Sequence, residues 1–424
     1  MINKDRISSA RSLGSDALNK VSNKVFFLLL VFSVALQLFR YIGYAVHPRV
    51  EEWNTQELTM SYRYGFIRRG LLGTITYFIY DVLHLDFLQA VSIVQNIGLI
   101  LFTAAFLIFF WRLLKNGQDK SFCFITLVLI SLNVWGFHFK FYGLLESYMA
   151  FLTFLMVYMI LTGKAMFLIP ILAGLCVMIH EAYPMMFFGV IVSVLIYKFC
   201  YEDNNKMKTR YALVFIITSI VIGGLLIYLY ILHPRIENAD PELILENCRK
   251  LLKVDELDTT SMRIIWFDNK QALTGENSDT IMWNGITPTI WFLMFILTPV
   301  INCIVLSPLI IMRIKFWKKI IKNESDKTRR ILLTLSSLMV LLVLPLLIVH
   351  TDQGRWFYTV VISEIILVGA LSLMNKNNER SVLSEITKLT LPKVLLAAFY
   401  CFFYFDTDIF FSSNALKAIV ALFF

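Results

Sequence analysis

Runs of about twenty mostly apolar residues recur from Val25 to the end of the chain, separated by short polar links. Each run is long enough to cross a hydrocarbon core of about 30 Å as a helix. Spanning helices are expected near 25–46, 86–111, 121–137, 144–163, 165–181, 184–199, 211–232, 286–312, 331–349, 357–374 and 391–405. A last apolar piece, 409–424, is short for a span. Alternation at period two is absent, which argues against a membrane β-barrel. The expectation is an all-α polytopic membrane protein of about eleven spans, ten to twelve by where the boundaries are drawn. It has a tail at 1–24 and a single transmembrane domain over 25–424, with no internal repeat.

One apolar stretch breaks this rhythm. Gly70 to Leu85 is apolar on one side but only sixteen residues long, and it carries Tyr77, Phe78 and Tyr80. That pattern suits a helix lying along the membrane surface.

Composition supports the membrane reading. Of 424 residues, 58% are hydrophobic and 16% charged, with a mean hydropathy of +0.69. The cations before the first run, without a convincing small-residue cleavage site after it, read as a retained first helix. The six cysteines are scattered, which excludes a disulfide framework and a cysteine metal site. No phosphate-binding loop, dinucleotide fingerprint or HExxH motif occurs, so no cofactor, metal or nucleic-acid partner is expected.

The distribution of charge says more than its sum of +9. With the N-terminus inside, the tail and residues 112–120, 164, 198–210, 313–330 and 375–393 face the cytoplasm and hold 25 of the 39 lysines and arginines. Twenty of the 30 acids then fall on the outer side. Three outer loops remain, 47–85, 233–285 and 350–357, and candidate chemistry gathers there.

In SYRYGFIRRGLLG, residues 61–73, Arg63, Arg68 and Arg69 stand on the outer side, where the positive-inside bias does not explain them. Arg68 and Arg69 precede the surface helix, at whose N-terminus free N–H groups favour an anion. Paired guanidiniums at headgroup depth fit a lipid-linked phosphate or diphosphate. Tyr64 and its neighbours fit sugar rings. HTDQGRWF at 350–357 is expected as a tight link turning at Gly354, with Asp352 orienting Arg355 as a further phosphate ligand and Trp356 available for stacking. In MIHEAYP, His180 and Glu181 reach the outer end of a helix broken by Pro184. They are either a structural pair for the arginines or a general base. Lys140 and Glu146, in the link before the fourth helix, are candidates to line the same cavity. A helix-like stretch at 241–257 offers Leu243, Leu245, Leu251, Leu252 and Val254 to cap the membrane domain.

The first outer loop with its acids and surface helix, the KFYGLLESYMAF link and the LAGLCVMIHEAYPMMF helix together resemble the GT-C glycosyltransferases over residues 25 to 200. GFIRRG and DQGRW are similar to the arginine-rich outer loops of bacterial O-antigen and capsule polymerases. The resemblance implies transfer from a polyprenyl-(di)phosphate-linked sugar donor to a glycan acceptor at the outer face of the cell membrane. It implies a first-loop carboxylate as base, for which Glu57 and Glu52 come first and Glu181 with His180 second. That family's usual aspartate is replaced here by glutamates, which speaks against a metal-dependent variant. The competing expectation is a transporter or flippase of a lipid-linked or anionic solute, which would place its charges near the bilayer midplane.

Overall fold

The computed structural model describes residues 20–40, 53–115, 120, 123, 145–232, 241–254, 307–344 and 353–374. The expected spans at 121–137 and 391–405, most of 286–312 and the piece 409–424 lie outside the described residues, as do Glu52, Lys140 and Asp352. Among the described residues the fold is all-α, with twelve α-helices. These are α1 (Asn23–Arg40), α2 (Trp53–Glu57), α3 (Gly70–Leu83), α4 (Phe87–Lys115), α5 (Glu146–Thr162), α6 (Ile169–Ile179), α7 (Gly189–Tyr201), α8 (Asn205–Ile227), α9 (Pro241–Leu252), α10 (Ser307–Asn323), α11 (Lys327–Met339) and α12 (Gln353–Met374).

Three helical stretches, Phe87–Lys115, Pro184–Tyr201 and Asn205–Leu232, are long and apolar enough to cross a membrane. They point to a membrane protein. The burial pattern agrees. On α8 only a stripe is buried, Tyr211, Val214, Thr218 and Ile222, while Leu213, Ile216, Ile217 and Ile220 are exposed on the other faces. A helix apolar all round but buried on one stripe fits a lipid-facing position. By contrast α12 is buried on every face from Tyr358 to Ser372 and runs through the core.

Local sequence explains where the helices start. Asp86 accepts the Leu88 N–H at 3.0 Å, and Gln89 reaches back to accept the Asp86 N–H at 3.1 Å, a reciprocal cap on α4. Asn204 and Asp326 cap α8 and α11 in the same way. Gly163, at φ 68°, turns the chain from α5 toward α6.

Packing relies on phenylalanines and small residues. Phe102, Phe106 and Phe110 run down the buried side of α4, and Phe109 meets Phe154 of α5 at 5.2 Å. Where α7 crosses α11, a Cβ on Gly189 would stand 2.3 Å from the Met339 carbonyl oxygen. One turn on, Ser193 Oγ donates to the Ser336 carbonyl at 2.7 Å and Ser336 Oγ to the Ser193 carbonyl at 3.2 Å. Small residues and interhelical hydroxyl bonds are how helices associate where hydrophobic burial offers little drive.

Two expectations are corrected. Residues 313–330, expected as a cytoplasmic segment between two spans, are mostly helix: α10 runs to Asn323 and α11 begins at Lys327. The lysines there flank a buried stripe of Met312, Phe316, Trp317 and Ile320, so the run is amphipathic. HTDQGRWF, expected as a tight link, enters α12 at Gln353, so Gly354, Arg355 and Trp356 belong to its first turns. From Gln353 the segment carries no helix breaker beyond that one glycine and continues into the apolar helix.

Candidate functional site

The segment from α2 to α3 folds back under α3. Glu57 ends α2, and the chain passes through buried Leu58 and Met60 to a 3₁₀ turn at Tyr62–Tyr64. Thr74 of α3 accepts the Tyr62 N–H at 2.9 Å. The contact requires glycine: a Cβ on Gly73 would sit 1.7 Å from the Met60 carbonyl oxygen. This brings the N-terminus of α3 down beside the end of α2.

Arg69 is the residue before α3, in the left-handed region at φ 56°. Its side chain does not cap the helix; it turns inward to two carboxylates. Nε donates to both oxygens of Glu181, at 3.1 and 2.9 Å, and Nη2 to Glu181 Oε1 at 2.8 Å. Nη1 donates to Glu57 Oε1. The three side chains are 11%, 9% and 1% exposed, so this is a buried charge group. Burial disfavours the arginine's charge, and the facing carboxylates of Glu181 and Glu57 more than reverse that, holding Arg69 protonated more firmly than in water.

Glu181 reaches this position because α6 ends early. His180 is extended at φ −155°, a reversal follows, and Pro184 opens a π-helical turn, Pro184–Phe188, that leads into α7. His180 is 2% exposed, and its Nδ1 lies 3.6 Å from Glu181 Oε2. That nitrogen accepts the Ala182 N–H at 3.1 Å, which puts the proton of a neutral ring on Nε2.

The other two arginines take different partners. Arg63 pairs with Asp81 of α3 on the exposed side and lies 4.3 Å over the Tyr77 ring, whose hydroxyl meets that of Tyr64 at 3.3 Å. Arg68 lies 5.1 Å over the ring of Tyr230, in the π-helical turn Tyr228–Leu232 that finishes α8. Helix α9 closes over this loop: Ile244, Leu245 and Cys248 bury against Met60 and Ile67, with Tyr62 and Tyr64 beside them. Lys253, just past α9, pairs with Asp86.

Thus Glu57, Arg69, Glu181 and His180 converge, while Arg63 pairs with Asp81 on α3 and Arg68 lies over Tyr230 at the end of α8. Glu146 is fully buried at the start of α5, within electrostatic reach of Tyr358 on α12. Arg355 and Trp356 are placed as helix backbone alone, while Glu52, Lys140 and Asp352 lie outside the described residues. Sequence reasoning did not single out Asp81, Tyr228 or Tyr230 as site residues. The signal available for the tyrosines was YLYIL, two aromatics at the end of a span, which also reads as an interfacial belt.

Chemically, the group carries two carboxylates and one guanidinium, a net negative charge when His180 is neutral. Arg69 is committed to carboxylates, so a phosphate bound there would have to displace one. No group of three or more metal-ligating side chains occurs among the described residues. No protein-family model, curated protein or solved structure matches the chain. Its chemistry therefore rests on these residues.

Proposed function

We propose that the protein is an integral membrane glycosyltransferase or polysaccharide polymerase. In this reading it spans the membrane about eleven times, N-terminus inside, in the GT-C manner, with α3 along the outer leaflet. It takes sugar from a polyprenyl-(di)phosphate carrier at the outer face and passes it to a glycan acceptor in building the cell surface. The observation that carries the reading is the Glu57–Arg69–Glu181 group: residues far apart in sequence meet in a buried, charged cluster at the end of apolar helices, a costly arrangement at membrane depth unless it serves a site.

In this reading the roles divide among the carboxylates, the arginines and the rings. Glu181 is engaged by Arg69 through both oxygens and acts as an orienting group. Glu57, the first-loop carboxylate bonded by the same guanidinium, is the one that takes the acceptor hydroxyl proton as the new glycosidic bond forms. In this reading arginines, Arg68 and Arg355 first, neutralise the departing phosphate, with no metal needed. Tyr64 and Trp356 contact sugar.

The experiment is sugar transfer by purified protein from a lipid-linked donor, with no imposed gradient. Wild type should transfer, and Glu57→Gln should lose transfer by at least about a hundredfold while keeping its fold. Normal polymer in cells carrying Glu57→Gln, Arg68→Ala or Arg355→Ala at wild-type protein level would sink the reading.

One observation favours the transporter alternative. Arg313 of α10 donates to Glu364 of α12 at 2.6 Å and also bonds the Ser337 carbonyl of α11. Both side chains are buried, and Glu364 stands halfway along α12. A charge pair at that depth is what a substrate or proton path would use. Accumulation of a lipid-linked solute across vesicles, abolished by Glu364→Gln and indifferent to Glu57→Gln, would select this reading instead.

A further inference from the structure

We infer that an open cavity at the C-terminal end of α9 is an anion subsite that takes the carboxylate or phosphate group of an acidic sugar, with Arg249 as its charged ligand. The inference deepens the glycosyl-transfer reading and rests on it for the saccharide, the glycan acceptor. Among the described residues the cavity is lined by Glu246, Arg249, Lys250, Lys253 and Val254, and it measures about 510 Å³, within the range of small-molecule sites. Three cations and one acid face it, and their pairing leaves one cation over. Lys250 holds Glu246 at 2.9 Å, and Lys253 holds Asp86 at the start of α4. Arg249 enters no ion pair among the described residues, and its Nε is buried without a hydrogen-bond partner. A buried donor left unsatisfied is costly, and a guanidinium fork matches the paired oxygens of a carboxylate or phosphate.

The helix ends here in a conformation that favours glycine. Lys253 has φ 57°; its N–H bonds the Lys250 carbonyl at 3.3 Å, and the Val254 N–H bonds the Arg249 carbonyl at 3.1 Å. Lysine in that place keeps a cation at the cavity's rim and ties it to Asp86, which also accepts the Leu88 N–H. A second anchor is Cys248, whose thiol donates to Thr59, two residues past Glu57. The cavity therefore stands on the helix that covers the loop carrying the proposed base. The helix dipole alone would favour cations at this end, but it calls for neither a cavity nor a buried donor. The lining suits a sugar acid better than a lipid headgroup, because Val254 is the one apolar residue among those described there and offers little surface for an acyl chain.

The test is binding of glucuronic acid and of glucose 6-phosphate to the full-length protein in phosphatidylcholine nanodiscs, read by saturation-transfer NMR, with glucose and inorganic phosphate as controls. Wild type should bind at least one of the two acids about tenfold or more tighter than glucose, and raised salt should weaken that binding. The acid that binds tighter names the anion. Arg249→Gln should weaken binding about tenfold or more. Glu246→Gln, which frees Lys250 to face the cavity, should tighten it about threefold, and Lys250→Gln, which frees Glu246 to pair with Arg249, should weaken it by about as much. A merely structural arginine would not produce those opposite signs. The inference is overturned by equal binding of the acids and glucose, by wild-type affinity in folded Arg249→Gln, by inorganic phosphate binding as tightly as both acids, or by loss of binding when phosphatidylglycerol replaces phosphatidylcholine. Acid binding of the expected pattern in a protein that transfers no sugar would leave the subsite standing and remove the glycosyltransferase reading. Sugar transfer by a wild type that binds neither acid would do the reverse.

Discussion

At the residue scale the molecule turns on Arg69. Its backbone occupies a conformation that bulky residues seldom adopt, and its side chain satisfies two carboxylates that would otherwise be buried charges. Removing one member of such a group costs more than removing all of it, because the survivors keep their desolvation cost without their partner. Arg69→Met should therefore destabilise the protein by about 3–5 kcal/mol, read as a drop in thermal unfolding temperature in detergent. Adding Glu57→Gln and Glu181→Gln to the same chain should restore most of that loss. If the triple variant is as unstable as the single, the ion group is not what holds the first loop to the α6–α7 turn.

At the element scale, α9 shows how much of the site the sequence pattern revealed. A capping helix was legible at 241–257 from its spacing of leucines, but not which face it buries. The expected contacts included Leu243, which is 59% exposed, and omitted Ile244 and Cys248, which are buried. Helical periodicity fixes a stripe only to within a residue when apolar positions are adjacent. Cys248 now reports on this docking. Its thiol donates to Thr59 Oγ1 at 3.1 Å, and burial pushes it up to about 11 despite that bond. At pH 8 its alkylation should be at least about a hundredfold slower than in denatured protein. A Leu245→Asp variant that lifts α9 should abolish that protection, as peptide-level mass spectrometry would read. Equal rates before and after that change would mean that α9 does not shield the loop.

The loop between α10 and α11 carries a second element-scale expectation. The Arg329 N–H bonds the Asp326 carboxylate at 2.9 Å and holds its pKa below the ordinary aspartate value. A depressed carboxylate stabilises the fold above its unfolded value, and that contribution fades as pH falls through the interval between the two. Thermal stability should therefore lose a component as pH falls below the ordinary aspartate range. Asp326→Asn keeps a capping oxygen and should flatten the loss. An unchanged acid limb in that variant would assign the loss to other carboxylates.

What the sequence could not show is pairing across distance. Arg69 and Glu181 lie 112 residues apart, and Arg313 and Glu364 lie 51 apart. Local pattern placed each charge near a helix end or within a span, and so found Glu57, Glu181 and three arginines as candidates. It had no means to say that Arg69 would go to the carboxylates while Arg68 went to a tyrosine from α8, because neighbouring residues at a helix start can point in opposite directions. The run at 313–330 shows a related limit: its charges marked it as a segment between two spans, while Met312, Phe316, Trp317 and Ile320 repeat there at helical spacing and bury a stripe.

At the scale of the whole molecule, burial sorts the helices by environment. α12 is enclosed on all sides, and its Glu364 has a guanidinium brought to it by α10. α8 leaves apolar side chains exposed along most of its length, which is unfavourable in water and neutral in lipid. The same chain thus has an inside and a lipid-facing outside. The direction in which it is threaded then decides what the carboxylate group can meet. In the proposed orientation the cations at 313–330 put that hairpin in the cytoplasm, and α9, one span earlier in the expected order, at the outer face. Cysteines introduced at Glu246 on α9 and at Lys327 on α11 should discriminate. In intact cells a membrane-impermeant maleimide should label the Glu246→Cys chain, and it should reach Lys327→Cys only after permeabilisation. The chain's own described thiols are buried and give a low background. The opposite pattern would turn the molecule over and put Glu57, Arg69 and Arg68 on the cytoplasmic side. There, soluble nucleotide sugars would become the donors to test, and a lipid-linked donor at the outer face would be excluded.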